Sequence, residues 1–187
     1  MAKVGLILSG LIFAVGHAAC SGAPVISHTY VSDHYRPQEL SYAAARGGML
    51  TEVTGNPFDA PKAALDSTVT KAMEEAHFGP ELDFFTVPPE GYSSAYRVVV
   101  LFNPARNANG VKLCSSPDRP RENRQGSLGV LASLCSSDTR INTAGGSLTG
   151  ATGPDDPVFE RFMRQLSLEL FPSQNPFGGD PSAVTFF

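Results

Sequence analysis

The sequence predicts an α+β domain in which a mainly antiparallel sheet carries two amphipathic helices packed on one face. Two segments repeat apolar residues at helical spacing, and several others are short runs rich in β-branched and aromatic residues. Strands precede and separate the two helices, an order that favours α+β over a regular strand–helix alternation. The 187 residues suit a single domain, and 42% hydrophobic residues are enough to bury a core.

The first half of the chain supplies two predicted strands. β-Branched and aromatic residues dominate positions 25–31, which predicts the first strand. A second strand is predicted at 49–54, closed by the turn-forming residues 55–57. Between these strands, residues 42–46 fit either a helical turn or part of a strand.

The first helix is predicted between Asp59 and Gly79. Pro61 lies where the first turn of a helix tolerates a missing amide, and Gly79 marks the end of the pattern. The residues expected on the buried face form one stripe: Leu65, Val69, Ala72, Met73 and Ala76. We therefore expect this helix to pack on the sheet through that stripe.

The centre of the sheet is predicted at residues 96–102, whose near-continuous apolar character indicates burial on both faces. Residues 110–114 are the expected hairpin partner of this strand, and residues 128–135 are expected to form a further strand. Residues 139–143 are predicted to be a short edge strand. The glycine-rich stretch 145–153 is predicted to break the sheet.

The last helix has a start signal at Asp155, Asp156 and Pro157, because acidic residues cap a helix and proline suits its first turn. The residues of its predicted buried stripe are Phe159, Phe162, Met163, Leu166 and Leu170. Prolines and glycines then predict an irregular tail over 172–187. One domain is therefore expected over 25–171.

The N-terminus carries an export pattern, in which Lys3 precedes an apolar run over residues 4–16 and small residues follow. The run is shorter than the roughly twenty apolar residues that a membrane-spanning helix needs. A positive end, a short apolar middle and small residues at the exit are typical of signal peptides. The sequence therefore predicts a signal peptide over residues 1–19.

The exit of this segment, Ala18-Ala19-Cys20, resembles the lipobox of bacterial lipoprotein precursors, with His17 where those proteins usually carry an aliphatic residue. The resemblance implies that Cys20 is acylated and becomes the new N-terminus, so that a lipid anchor joins the protein to a membrane through a short tether over 20–24. In that family an aspartate after the cysteine favours retention at the inner membrane. Ser21 therefore implies an outer-membrane location facing the periplasm.

Cysteine parity supports acylation. The chain has three cysteines, and an odd thiol is reactive in an oxidising compartment. Setting Cys20 aside leaves Cys114 and Cys135 as an even pair, for which we predict a disulfide across the polar loop between them. The alternative is ordinary signal-peptidase cleavage after Ala18, which gives a soluble secreted or periplasmic protein.

The loop between these two cysteines carries three arginines, Arg119, Arg121 and Arg124. They are candidate contacts for anionic headgroups or for the acidic surface of a partner. Arginines in such a loop are more commonly only solvated and contact no partner.

Signatures of catalysis, metal binding and nucleotide binding are missing from the sequence. His28, Asp33 and His34 lack the spacing of metal ligands, and the glycines of 145–153 lack a Walker lysine. A formal net charge of −4 argues against nucleic acid as the main partner. We therefore expect no cofactor, no metal site and no catalytic residue.

These observations favour a non-catalytic cell-envelope lipoprotein that provides a binding or assembly surface at the membrane for an unidentified envelope protein. One alternative is an exported, carbohydrate-active type of hydrolase that uses scattered carboxylates such as Glu52, Asp83 or Glu90. Another is a periplasmic carrier of a lipid or small molecule, which needs an apolar cavity between helices and sheet.

Overall fold

The computed structural model describes residues 23–177. The predicted signal peptide, Cys20 and the chain after residue 177 lie outside the described residues. The elements, in chain order, are β1 (Val25–Val31), α1 (Gln38–Ala45), β2 (Met49–Thr54), α2 (Lys62–Glu75), β3 (Phe84–Phe85), β4 (Tyr96–Phe102), α3 (Gly110–Ser115), β5 (Ser127–Ser136), β6 (Thr139–Thr149) and α4 (Pro157–Leu170).

The strands form one sheet in the order β1-β6-β5-β4-β2-β3. The β1–β6, β6–β5 and β5–β4 pairs are antiparallel, whereas β2 pairs in parallel with both β4 and β3. The predicted α+β class is confirmed, and the sheet is mixed rather than mainly antiparallel. The reason is the connection from β2 to β4, which passes through α2 and is long enough to bring the chain back in the same direction.

The two predicted amphipathic helices are confirmed as α2 and α4. Every residue of both predicted stripes is buried, and both helices contribute to one hydrophobic cluster on the same face of the sheet, which we call the first face. Asp156 caps α4 as predicted, with a carboxylate oxygen 2.9 Å from the backbone nitrogen of Val158. Within residues 23–177 the structure contains no helix long and apolar enough to cross a membrane.

The strand β4 is buried on both faces, as its sequence predicts. Its side chains alternate between two clusters. Val98, Val100 and Phe102 join the cluster under α2 and α4. Val99 and Leu101 point to the opposite side, which we call the second face and which α3 partly covers.

The prediction of a strand at 110–114 is wrong, because these residues belong to the helix α3. The Asn109 side chain caps this helix, since its amide oxygen accepts a hydrogen bond of 3.1 Å from the Lys112 backbone nitrogen. Gly110 lets the helix lie close to the sheet: a Cβ there would be 1.9 Å from the Thr143 hydroxyl oxygen. The antiparallel partner of β4 is β5 instead.

The strand predicted at 139–143 is present, but its short length, its edge position and the predicted break over 145–149 are wrong. The strand β6 extends to Thr149 and lies inside the sheet, between β1 and β5. Its glycines make room for the neighbouring strand, because a Cβ on Gly146 would lie 2.3 Å from the carbonyl oxygen of Val25. The strand at this edge of the sheet is β1.

Two smaller expectations are also resolved. Residues 42–46, for which a helical turn and a strand were both open, lie in and just after α1. Residues 172–177 form neither helix nor strand, and they are fastened to the loop after β1. The Asn175 side chain donates to the backbone carbonyls of Ser32, Asp33 and Tyr35 at 2.9–3.0 Å.

A titratable side chain lies against the core just beyond α2. The His77 ring lies 5.9 Å from the Phe84 ring and 6.5 Å from the Phe171 ring, measured between centroids. Burial lowers the pKa of His77 below its ordinary value of 6.5, and this outweighs an opposing hydrogen bond with the Phe78 backbone.

Folding should therefore depend on pH through His77. Below about pH 6.5 the unfolded chain binds a proton that the folded chain resists, so stability is lost as the pH falls through that value toward the lower folded pKa. We expect the urea midpoint to fall less between pH 7.5 and pH 5 in His77→Gln than in the parent. His34→Gln is the control, since the His34 side chain is exposed. An identical loss of stability in parent and His77→Gln would contradict this role.

Candidate functional site

The predicted Cys114–Cys135 disulfide is present, with the two Cα atoms 5.6 Å apart. Both cysteines are buried, and the bond ties α3 to β5 on the second face. It therefore fixes a helix of only six residues over the sheet, where packing area alone is small.

Beside the disulfide, two arginines converge on one carboxylate, a group that we call the Glu52 cluster. The Arg97 Nε atom lies 3.1 Å from one oxygen of Glu52, and the Arg119 guanidinium contacts the other oxygen. Arg119 also donates a 3.0 Å hydrogen bond to the Thr54 hydroxyl, and Arg97 donates one of 2.6 Å to the Cys114 carbonyl. The cluster thus joins β2, β4, α3 and the loop after α3. Its contacts serve to hold these elements together.

The structure does not bring the three predicted contact arginines together as one patch. Arg119 belongs to the Glu52 cluster, and its side chain is only 14% exposed. Arg121 lies next to Gly55, at the end of β2. Arg124 lies over β5, where its guanidinium pairs with Glu122 at 2.9 Å.

A groove opens on the part of the second face that α3 leaves uncovered, and we call it the open groove. Its volume is about 380 Å³. Its floor is formed by β5 and β6, its first wall by Ser27 and His28 of β1, and its second wall by the loop before α3, residues 104–109. Ligand pockets in proteins commonly have about 300–1,000 Å³, so the groove can accept a small ligand or part of a larger one.

Glycines shape the floor of the open groove. Gly145 pairs with Leu131, and Gly129 pairs with Ser147, in the antiparallel register of β5 and β6. Residues directly opposite each other share a face, so two of these four positions carry no side chain. The space over these glycines is taken by neighbouring side chains, with Arg124 over Gly129 and Leu131 over Gly145.

The polar residues that line the open groove are basic or neutral, and one acidic residue, Glu122, lies beside it. Arg106, Arg124 and His28 line it, with Asn109 nearby, and none of its lining residues is acidic. Arg124 lies flat on Gly129, where a Cβ would be 2.9 Å from one of its terminal nitrogens. The Nε atom of Arg124 is buried and has no acceptor within the described part of the chain.

Sequence reasoning identified Arg124 and missed the other groove residues. Arg106 lies outside the predicted loop patch, and His28 was considered only as a metal ligand. The available signal was the pair of glycines within β-prone segments, Gly129 and Gly145, since glycine inside a strand often marks close approach of another group.

The carboxylates considered for hydrolysis lie in separate surroundings. Glu52 is held by two arginines, while Asp83 and Glu90 are exposed residues of the segment around β3. The space between α2, α4 and the sheet, where a carrier needs a cavity, holds fully buried side chains such as Phe159 and Phe162. Among residues 23–177, no group of three or more potential ligands is placed to hold a metal ion.

Comparisons with known proteins identify a distant likeness to solved structures. The PelC dodecamer from Paraburkholderia phytofirmans is 14% identical and has a TM-score of 0.43, covering 82% of this chain and 99% of that one. A variant PelC dodecamer from the same organism is 16% identical, with a TM-score of 0.42 and coverage of 79% and 98%. No protein-family model and no curated protein matches the sequence. Overlap at this level assigns no function to the chain.

Proposed function

We propose that the protein is a non-catalytic cell-envelope lipoprotein whose domain provides a binding surface held at the membrane by an acyl anchor on Cys20. The observation that carries the proposal is the position of the open groove directly beside the start of the fold. Its first wall begins at Ser27, two residues into β1. An anchored N-terminus would therefore hold the groove close to the membrane.

Covalent geometry limits that separation. Five peptide steps join Cys20 to Val25, and an extended chain spans at most about 3.6 Å per residue, so the two Cα atoms lie within about 18 Å. A tether this short keeps β1 and the open groove at the membrane surface rather than deep in the compartment. Ser21 favours the outer membrane, with the domain facing the periplasm.

The structure also offers a binding partner a second feature at the same place. The outer side of β1 has no neighbouring strand among the described residues, and its sequence from Val25 to Val31 contains no charged residue. Unpaired, uncharged edge strands are common sites of contact with other chains. This edge and the open groove adjoin, since His28 belongs to both.

Replacing Cys20 by alanine tests the proposal. We expect the mature parent protein to carry acyl groups on Cys20 by mass spectrometry and to partition into detergent, and we expect Cys20→Ala to lose both properties. Ser21→Ala, which leaves the cysteine in place, is the matched control. An unmodified N-terminus at Ala19 in the parent would refute the lipid anchor.

Crosslinking then tests the binding surface. A photo-crosslinking residue at His28 should capture a specific envelope component in the parent and lose it in Cys20→Ala, whereas the same residue at the exposed Lys71 of α2 should capture none. Products that are the same from both positions, or that do not depend on Cys20, would count against a surface that acts at the membrane.

A further inference from the structure

We propose that the open groove is a binding site for an oxyanion, a phosphate or carboxylate group, held by Arg106 and Arg124. The inference goes beyond the proposed lipoprotein function and does not require acylation of Cys20. It assigns ligand chemistry to the groove from its charge, its shape and the state of its arginines.

The charged residues that line the open groove favour an anionic ligand. The protein is acidic overall, with 18 Asp and Glu against 14 Lys and Arg. The open groove differs from that balance, because Arg106 and Arg124 line it, none of its lining residues is acidic, and Glu122 pairs with only one of the two arginines. A local positive potential in a negatively charged protein selects an anionic ligand.

The contacts of Arg124 hold its guanidinium in place and leave one donor unpaired. One terminal nitrogen pairs with Glu122 at 2.9 Å and also lies 3.4 Å from the Pro104 carbonyl oxygen. These contacts fix the plane of the guanidinium, while its buried Nε–H is left without an acceptor in residues 23–177. A fixed guanidinium with one donor to spare suits a charge-assisted hydrogen bond to one oxygen of a phosphate or carboxylate group.

The shape of the open groove places its two arginines on different sides of the space for a ligand. Gly129 lies directly under Arg124, and the Leu131 side chain packs on Gly145, where a Cβ would lie 3.1 Å from its Cδ1 atom. Arg106 is exposed on the facing loop and has no ion pair or hydrogen bond from its side chain among the described residues. One arginine is therefore held in place on the floor of the groove, and the other is free to close on a ligand that lies against it.

The oxyanion can come from a lipid headgroup or from a soluble molecule, and two kinds of probe distinguish these sources. Inorganic phosphate and acetate test a soluble anion, read as shifts of the Gly129 and Gly145 amide signals by NMR at constant ionic strength. Vesicles of phosphatidylglycerol, compared with vesicles of phosphatidylcholine, test a headgroup by flotation. Both experiments use purified Cys20→Ala protein, so that acylation does not contribute to vesicle binding.

The variants are Arg106→Gln and Arg124→Gln, alone and together. Arg161→Gln is the matched control, because Arg161 is exposed on α4 at the opposite face. We expect each groove variant to weaken binding about tenfold and the control to bind like the parent. Unchanged thermal unfolding of Arg106→Gln, whose side chain is exposed, shows that its lost binding is not lost folding.

The results distinguish a soluble anion from a lipid headgroup, and they also show if the proposed anion site is wrong. Saturable shifts at the two glycines with inorganic phosphate or acetate, lost in the double variant, indicate a soluble ligand. Arginine-dependent binding to phosphatidylglycerol vesicles without such shifts indicates a headgroup. Binding of neither kind, or equal loss in Arg161→Gln, would overturn the proposal. If the parent protein proves not to be lipidated, the proposed anchor on Cys20 is refuted, but the anion-binding result still stands.

Discussion

Replacing Phe162 by alanine is expected to lower the free energy of unfolding by about 3–5 kcal/mol, as large-to-small substitutions in tightly packed cores do. Phe162 is a residue of α4, and its fully buried side chain packs against the first face of the sheet. Its ring also contacts the bare backbone of β6, because a Cβ on Gly146 would lie 3.1 Å from one of its ring carbons. The cavity left by alanine therefore opens between the helix and the sheet. Urea unfolding followed by circular dichroism measures the loss.

Phe177→Ala is the matched control for this experiment. It removes the same side chain from a residue that is 69% exposed, so we expect a change within about 0.5 kcal/mol. If Phe162→Ala were as stable as the parent protein, the packing of α4 described above would be wrong. An equal loss in both variants would mean that the exposed ring also contributes to the fold.

Removing the disulfide is the second large effect. Cys114 and Cys135 are 21 positions apart, and closing a loop of about that length contributes on the order of 3 kcal/mol by restricting the unfolded chain. We expect Cys114→Ala with Cys135→Ala to lose roughly that amount in urea unfolding. This is a large share of the 5–15 kcal/mol that typically stabilises a domain.

A reductant provides the control for the double alanine variant. Dithiothreitol should destabilise the parent protein and leave the double variant unchanged, because that variant has no bond to reduce. Two titratable thiols at these positions in the folded parent, measured without reductant, would disprove the bridge. A loss much smaller than about 3 kcal/mol would contradict the expected restriction of the unfolded chain by the bond.

The disulfide also connects stability with the candidate site. Residues 104–109 form the second wall of the open groove, and they lead directly into α3. The bond from Cys114 to Cys135 and the hydrogen bond from Arg97 to the Cys114 carbonyl hold α3 on the second face. The wall carrying Arg106 is therefore positioned by a covalent bond and an ion-pair cluster outside the groove itself.

Elements whose signal lies in their own side-chain pattern were predictable. The stripes of α2 and α4 repeat at helical spacing, and β4 is apolar almost throughout, so burial on one side or on both can be deduced from the residues alone. The disulfide was predictable for a different reason, since parity left two cysteines and the N-terminal pattern predicts export to a compartment that favours oxidation.

Elements whose structure depends on a distant neighbour were not predictable. The residues of α3 look like a short strand, and only the contact of Gly110 with Thr143 shows why a helix fits there. The glycines of β6 resemble a loop until β1 is packed against them. Likewise, the parallel pairing of β2 with β4 depends on the path of the chain through α2, which no local pattern records.

Local patterns of residues predict the two main helices, the central strand, the cysteine pair and export. Each of these depends on residue types read along one short segment. Only the folded chain shows that Arg119 is tied to Glu52, that Arg124 lies on Gly129, and that His28 and Arg106 line the same groove. The physical reason is that periodicity reports whether a side chain is buried, whereas the distance between residues far apart in the chain exists only after the sheet has formed.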